Sequence, residues 1–243
     1  MTAMSKNSMS NIQSFLIVAI LFCSSYLKAE YVAEVREIGG KDVLFKIEVT
    51  KTRENGKETV VARSSENGNV VLEEVGVLDV KDFSVLEYRV DNRQTKETGK
   101  LIFNDSKIWI EYRAQNQSLI KKEIPKPKVL IAPANFEQFL KANFETLKKT
   151  KTMPVDFLIW DRHETINFKI SYLGEKNLNG EKTHHFKMNV NNFLIAAFIS
   201  PIQMWYSEDM TKVRRFLGRV AVKKKNSDGS FSNLDADVTY KYN

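Results

Sequence analysis

Four ionisable side chains stand in a row at Asp161-Arg162-His163-Glu164, and two histidines adjoin at His184-His185. The first group has the residue types for a histidine base oriented by a carboxylate, the second those for a divalent cation. Both stretches lie in or beside segments of alternating polarity. Neighbouring residues of a strand point to opposite faces, so adjacency alone assembles neither constellation. Ser207-Glu208-Asp209 has no G-x-S-x-G elbow and no phosphate-cradling glycine loop around it, and reads as a turn in which Asp209 caps backbone amides. The residue pattern thus predicts a non-enzymatic protein with no catalytic residue, no metal and no cofactor.

The one cysteine, Cys23, falls inside an N-terminal targeting pattern. Lys6 supplies a basic n-region, Phe15 to Cys23 reads F-L-I-V-A-I-L-F-C, and Leu27-Lys28-Ala29 offers a small-residue cleavage site. This predicts a signal peptide over residues 1–29 and a periplasmic or secreted mature chain. The apolar run is too short to span a bilayer of ~30 Å at ~1.5 Å per residue, so the mature chain is not expected to be an integral membrane protein. Acylation of Cys23 is disfavoured by Phe22 before it, where a lipoprotein signal peptidase needs a small side chain. Cleavage near Ala29 leaves no cysteine, which excludes disulfides, thiolate nucleophiles and Cys-liganded metals.

The chain carries 37 basic and 30 acidic residues, a net +7; residues 1–29 hold only Lys6 and Lys28, leaving 35 against 30, or +5, for the rest. Local concentrations occur at Lys121-Lys122, Lys126/Lys128, Lys148-Lys149-Lys151 and Lys223-Lys224-Lys225. Their spread suits a solvated surface with lysines guarding strand edges. Anionic head groups or an acidic partner are the functional alternative, and no nucleic-acid motif is present.

The elements that must position these residues are strands. Val43, Phe45, Ile47 and Val49 alternate with Leu44, Lys46, Glu48 and Thr50, and Asn55-Gly56 accepts the positive φ angles of a type I′ hairpin. Strands are expected at 43–53, 58–64, 83–90, 100–104, 107–113 and 118–124. After a break at Pro125-Lys126-Pro127 they resume at 155–161, 165–172, 183–190, 204–207, 213–222 and 236–242. The hairpin-like spacing predicts a mainly β (α+β) fold over residues 30–243, a strongly curved antiparallel sheet or half-barrel closed by one amphipathic helix.

That helix is expected at 135–149. Asn135 serves as N-cap with Gln138 in capping-box position, and Phe136, Phe139, Leu140, Phe144 and Leu147 form its apolar stripe. Phe193 to Ile199, F-L-I-A-A-F-I, too short for a membrane span, reads as a short buried helix or loop, the alternative being that it lines a ligand mouth or touches a membrane. Facing a cavity, Phe136, Leu140, Phe144, Trp109, Trp160, Phe198 and Trp205 would form an apolar ligand site; otherwise they are core packing.

The stretch from Ile159 to Gly218 contains I-W-D-R-H-E-T-I-N-F-K-I-S-Y-L-G-E-K-N-L-N-G-E-K-T-H-H-F-K-M-N-V and then M-W-Y-S-E-D-M-T-K-V-R-R-F-L-G. It resembles a family of uncharacterised bacterial periplasmic proteins whose strands run G-x-E, turn, hydrophobic strand, W-x-S-x-D, turn, basic-apolar strand. That family is similar in architecture to the lipoprotein-localisation carriers, in which a curved antiparallel half-barrel closed by helices surrounds an apolar cavity. The resemblance implies carriage of a hydrophobic ligand and transfers no functional residue.

Three functions of different class follow. The preferred one is an exported module that binds or carries a hydrophobic ligand such as lipid or a lipoprotein acyl chain. The alternative is a structural or assembly module of the cell envelope that engages a protein partner through a strand edge or basic face. An outer-membrane barrel fits the alternating strands and Tyr240-Lys241-Tyr242, but the Phe-rich helix, Pro125/Pro127, frequent charges and terminal Asn243 oppose it. N-terminal sequencing of the protein recovered from its native cell envelope should begin near Glu30; a chain that still starts at Met1 would remove the export reading.

Overall fold

The computed structural model describes residues 29–191 and 200–243. The predicted signal peptide, residues 1–28 of it, and the apolar segment containing Phe198 lie outside them. The strands are β1 Tyr31–Glu37, β2 Val43–Glu54, β3 Lys57–Glu66, β4 Asn69–Asp79, β5 Val85–Asn92, β6 Glu97–Phe103, β7 Lys107–Arg113, β8 Ile120–Pro125 and β9 Leu130–Ile131. Two short helices follow, α1 Phe136–Ala142 and α2 Phe144–Thr150, then β10 Thr152–Ile159, β11 Glu164–Leu178, β12 Glu181–Val190, β13 Ile202–Ser207, β14 Val213–Lys225 and β15 Phe231–Tyr242.

All these strands form one sheet in the order β8-β7-β6-β5-β4-β3-β2-β1-β15-β14-β13-β12-β11-β10-β9. Every neighbouring pair is antiparallel except β9 with β10. The first and last strands therefore pair with each other in the middle, Ala33 opposite Tyr240 and Val35 opposite Val238. The two edges, β8 and β9, follow one another in the chain. Five Cα steps join them, at most about 19 Å, so the sheet must roll until its edges approach. Lys122 of β8 accordingly donates to the carbonyl of His163 at 3.2 Å, in the turn after β10.

The expected fold class holds, and so do most strands. Asn55 (φ 50°) and Gly56 (φ 74°) make the predicted hairpin turn, with Glu54 opposite Lys57. Three strands are additional: β1, β4 and the two-residue β9. β4 reads inside out, because Leu72 and Leu78 face inward together with Glu74 and Gly76, leaving Val75 and Val77 on the outer parity. Gly76 is needed there: a Cβ on it would lie 2.2 Å from the Cβ of Ala134, in the 3-10 turn Pro133–Asn135 that packs onto the strand.

The helix is broken where one continuous helix was expected. At Asn143 the backbone leaves the helical region (φ −103°, ψ 9°), and its side-chain Nδ2 donates to the Phe139 carbonyl at 2.8 Å. Asn135 is not a side-chain cap for α1. Its Oδ1 accepts from the Ala132 N–H at 2.9 Å and its Nδ2 donates to the Phe83 carbonyl at 3.2 Å, which anchors the 3-10 turn to the sheet. Gln138, expected in a capping box, is buried and donates to Glu58 at 3.1 Å. The stripe still points inward. Leu140 and Leu147 are fully buried, and Phe144 packs its ring against His184 (4.6 Å) and edge-on to Tyr172 (5.8 Å).

Two apolar clusters result. One joins β1, β2 and β4 to β8 with β15 and the end of β14, and includes Tyr88, Leu101 and Ile108; the other joins α1 and α2 to β10 through β14, around Leu140, Phe186 and Tyr206. Phe216 and Tyr240 pack against both. Gly76→Ala should destabilise the protein by about 1–3 kcal/mol, the usual cost of overpacking, because Ala134 must move off the strand. Urea unfolding measures this, and an unchanged midpoint would show that the turn is not seated as described.

Candidate functional site

Between the two clusters lies a cavity of about 790 Å³, within the size range of small-molecule sites. Its floor is a single cross-strand rung over seven strands: Tyr240, Ala33, Ile47, Ser64, Leu72, Asn92 and Glu97 are successive partners from β15 to β6, and all but Ala33 line the space. Because same-face residues of adjacent strands stand side by side, the rung is apolar at the β15 end and polar at the β6 end. Phe136 of α1, Phe157 of β10 and Phe168 of β11 form the opposite wall, with Phe216 of β14 beside them.

Trp160 ends this wall. It sits in the turn after β10, 5.8 Å from the Tyr112 ring, and covers Gly99 so closely that a Cβ there would meet its ring at 2.8 Å. A wide bulge in β14 forms another side: Arg219 pairs with Asp235 and Lys223 with Asn233, so Val220, Ala221 and Val222 oppose Leu234 alone. Gln94, in the β5–β6 turn, bridges to this bulge. Its Oε1 accepts from the Lys223 N–H at 2.9 Å and its Nε2 donates to the Lys223 carbonyl at 3.0 Å, as a neighbouring strand would.

Of the seven aromatic and aliphatic residues predicted for an apolar cavity, Phe136 and Trp160 line this one. Leu140 and Phe144 do not; they belong to the packing of the second cluster. Trp109 is 51% exposed on the outer face of β7, beside Ile102 of β6, so it faces no cavity. Trp205 alternates with the inward Met204 and Tyr206 and therefore lies on the outer face too, stacked on His185 at 4.4 Å and under the Arg215 guanidinium at 5.4 Å. Phe198 lies outside the described residues.

The polar constellations are separated as strand geometry requires. His184 faces inward, with Nδ1 2.9 Å from the Tyr172 hydroxyl and Nε2 3.0 Å from the Glu208 carbonyl; His185 faces outward, with Nε2 3.1 Å from Gln203 Oε1. Asp161 and Arg162 line the cavity, whereas His163, at φ 58°, sets its ring against Tyr112 at 4.6 Å. Burial, then Lys122, holds the His163 pKa below its ordinary value. Ser207 and Thr211 donate to Asp209, and these bonds pull its pKa down to about 2 in a turn. Among the described residues no group of three or more His, Cys, Asp or Glu is placed to hold a metal.

The residue that sequence patterning missed is Glu74. It lines both the large cavity and an adjoining one of about 110 Å³ beneath α1. Ala62 and Val90 flank it on the neighbouring strands, and among the described residues its one hydrogen bond comes from the Tyr88 hydroxyl. No described cation pairs with it. Burial pushes its carboxyl pKa up, and the Tyr88 bond opposes that only partly. Its signal in the sequence was a charge on the inward parity of an otherwise apolar strand.

A raised folded pKa means that the native state holds the Glu74 proton more tightly than the unfolded chain. Stability from this group is fully present below the ordinary carboxylate range and is lost as pH rises through the folded pKa. Glu74→Gln keeps an acceptor for Tyr88 without the charge. It should therefore raise the melting temperature at pH 8 and leave it unchanged near pH 4; an equal effect at both pH values would show that Glu74 is not ionised against its surroundings.

No family model and no curated protein matches the chain. Among solved structures, it is similar to a beta-barrel-like protein of a domain of unknown function, DUF1849, from Brucella abortus: TM-score 0.51, 9% identity, 89% of this chain and 97% of that one. A DUF1329 family protein from Desulfovibrio piger aligns over 88% of this chain and 82% of that one, with 9% identity and TM-score 0.25. At such identities the first likeness shows a shared mainly β, barrel-like fold.

Proposed function

We propose that this is an exported, non-enzymatic protein that binds or carries a hydrophobic ligand, of the kind of a lipid or a lipoprotein acyl chain, inside its rolled sheet. The observation that carries this reading is the 790 Å³ cavity walled by Phe136, Phe157, Phe168, Phe216 and Trp160. Aromatic walls with a few fixed polar groups are the usual make-up of a site for an apolar molecule. The likeness to lipoprotein-localisation carriers supports it as an analogy of architecture only. Export rests on the N-terminal targeting pattern.

The alternative, a cell-envelope assembly module that engages a protein partner through a strand edge or basic face, has less behind it at the strand edges. Edge β8 carries Lys121 and Lys122 and ends in Pro125, and edge β9 is two residues long; both features discourage strand addition.

The test is native mass spectrometry of protein purified from its own cell envelope, with organic extraction of whatever co-purifies. A stoichiometric apolar ligand is expected, lost in Val220→Trp, which places an indole in the cavity, and retained in Trp109→Ala on the outer face. A ligand-free native protein, or equal retention by both variants, would count against carriage.

A further inference from the structure

The large cavity is not uniformly apolar: Arg162, Arg219, Lys223, Asn233 and Asp235 line it after β10 and on β14 and β15, while Ser64, Glu74, Asn92 and Glu97, on β3 to β6, bring no cation. Glu74, Glu97 and Asp161 all line it, and none of the three forms an ion pair with a described residue. Glu97 is partly satisfied by the Tyr112 and Thr95 hydroxyls, both at 2.5 Å. Asp161 is near enough to act electrostatically on both Tyr88 and Tyr112. The cations on the cavity wall are otherwise engaged or open to solvent. Arg219 is bound to Asp235 at 2.6 Å, Lys223 Nζ donates to Asn233 at 2.8 Å, and Arg162 is exposed.

A second, independent observation marks the same wall. Ser64 and Asn92 are 3% and 2% exposed and line the cavity on the rung next to Glu74. The Ser64 hydroxyl has no partner among the described residues. Asn92 spends its Oδ1 on the backbone N–H groups of Gln94 and Thr95, at 3.0 and 3.2 Å, and its Nδ2 has no described partner. Neither group is sealed in the packing; both belong to the cavity lining, so this stretch of wall offers polar atoms to whatever occupies it.

We infer that Glu74, with Ser64 and Asn92 on the next rung and Asp161 on the same cavity, is the head-group subsite for a single-chain aliphatic amine whose chain lies along Phe136, Phe157 and Phe168. This rests on the cavity reading proposed above and specifies its ligand. An ammonium is a donor-only cation. Placed against Glu74 it supplies the counter-charge that carboxylate lacks, and its remaining N–H groups suit the Ser64 hydroxyl. A fatty-acid carboxylate would instead set like charge against Glu74, and an alcohol would supply one donor and no charge.

Calorimetric titration of the purified protein with decylamine, decanol and decanoate, each below its micelle concentration, separates these cases. Decylamine should bind about tenfold or more tighter than decanol, as expected of a charge-assisted bond, and decanoate weakest. Glu74→Gln should bring decylamine and decanol to similar affinity while leaving decanol binding intact. Asp161→Asn, at a more accessible position, should reduce the same preference by a smaller factor and serves if Glu74→Gln fails to fold. Lysophosphatidylethanolamine binding that is lost in Glu74→Gln would support an amine carried by a lipid head group; Glu74-dependent binding of decylamine with no binding of lysophosphatidylethanolamine would support a free amine. Decanol or decanoate binding as tightly as decylamine, or a decylamine preference that survives Glu74→Gln, overturns the amine subsite and leaves the cavity reading standing. Binding of none of the three overturns both.

Discussion

Fifteen paired strands enclose more room than their own side chains can fill. At about 4.8 Å between neighbours the sheet describes roughly 70 Å of arc, whereas eight strands, roughly 38 Å, already make a barrel just wide enough for its side chains to fill. The pairing of β1 with β15 imposes this width, because it welds two seven- or eight-strand meanders into one sheet. Everything placed inside answers that demand. The 3-10 turn seats Ala134 on Gly76, α1 and α2 carry Phe136, Leu140 and Leu147 inward, and Trp160 covers Gly99. What they leave unfilled, between the clusters, is the cavity.

The same geometry explains why the outer face is so heavily paired. Cross-strand positions bring opposite charges together, as in Arg63 with Glu73 at 2.6 Å and Arg215 with Asp237 at 2.7 Å. Exposed pairs of this kind contribute little each, typically under ~1 kcal/mol, but they offset like-charge neighbours such as Glu73 opposite Asp91 and Arg89 opposite Lys100. Inside, the logic reverses. Among the described residues Glu74 has no cation beside it and burial raises its carboxyl pKa, so ionising it costs stability, a departure from local consistency of the kind natural proteins concentrate at functional sites.

Much of the fold was legible because alternation and turn chemistry are local. Asn55-Gly56 fixed a hairpin, and twelve strands announced themselves by period two and their flanking turns. β4 was not legible for the reason that makes it interesting: Glu74 and Gly76 occupy inward positions while Val75 and Val77 point out, so its apolar pattern suggests the wrong face. The helix was legible as an apolar stripe but not as two pieces, since the break depends on one Asn143 side chain choosing a backbone carbonyl. Among the aromatics, type said nothing about direction. Trp109 and Trp205 lie on outward parities and Trp160 in a turn, and only the register of the neighbouring strands decides this.

The cavity also needs walls that stay apart, and the β14 bulge supplies one answer. Three residues facing one interrupt the ladder with β15; pairing resumes at Lys223 opposite Asn233, and Lys223 satisfies its own backbone N–H and C=O away from that ladder. It does so through Gln94, whose amide makes the two bonds a strand would make while reaching from the β5–β6 turn. That turn is itself held by Asn92, whose Oδ1 accepts from two successive N–H groups. Asn92 thus joins the polar wall of the cavity to the brace that spans its end.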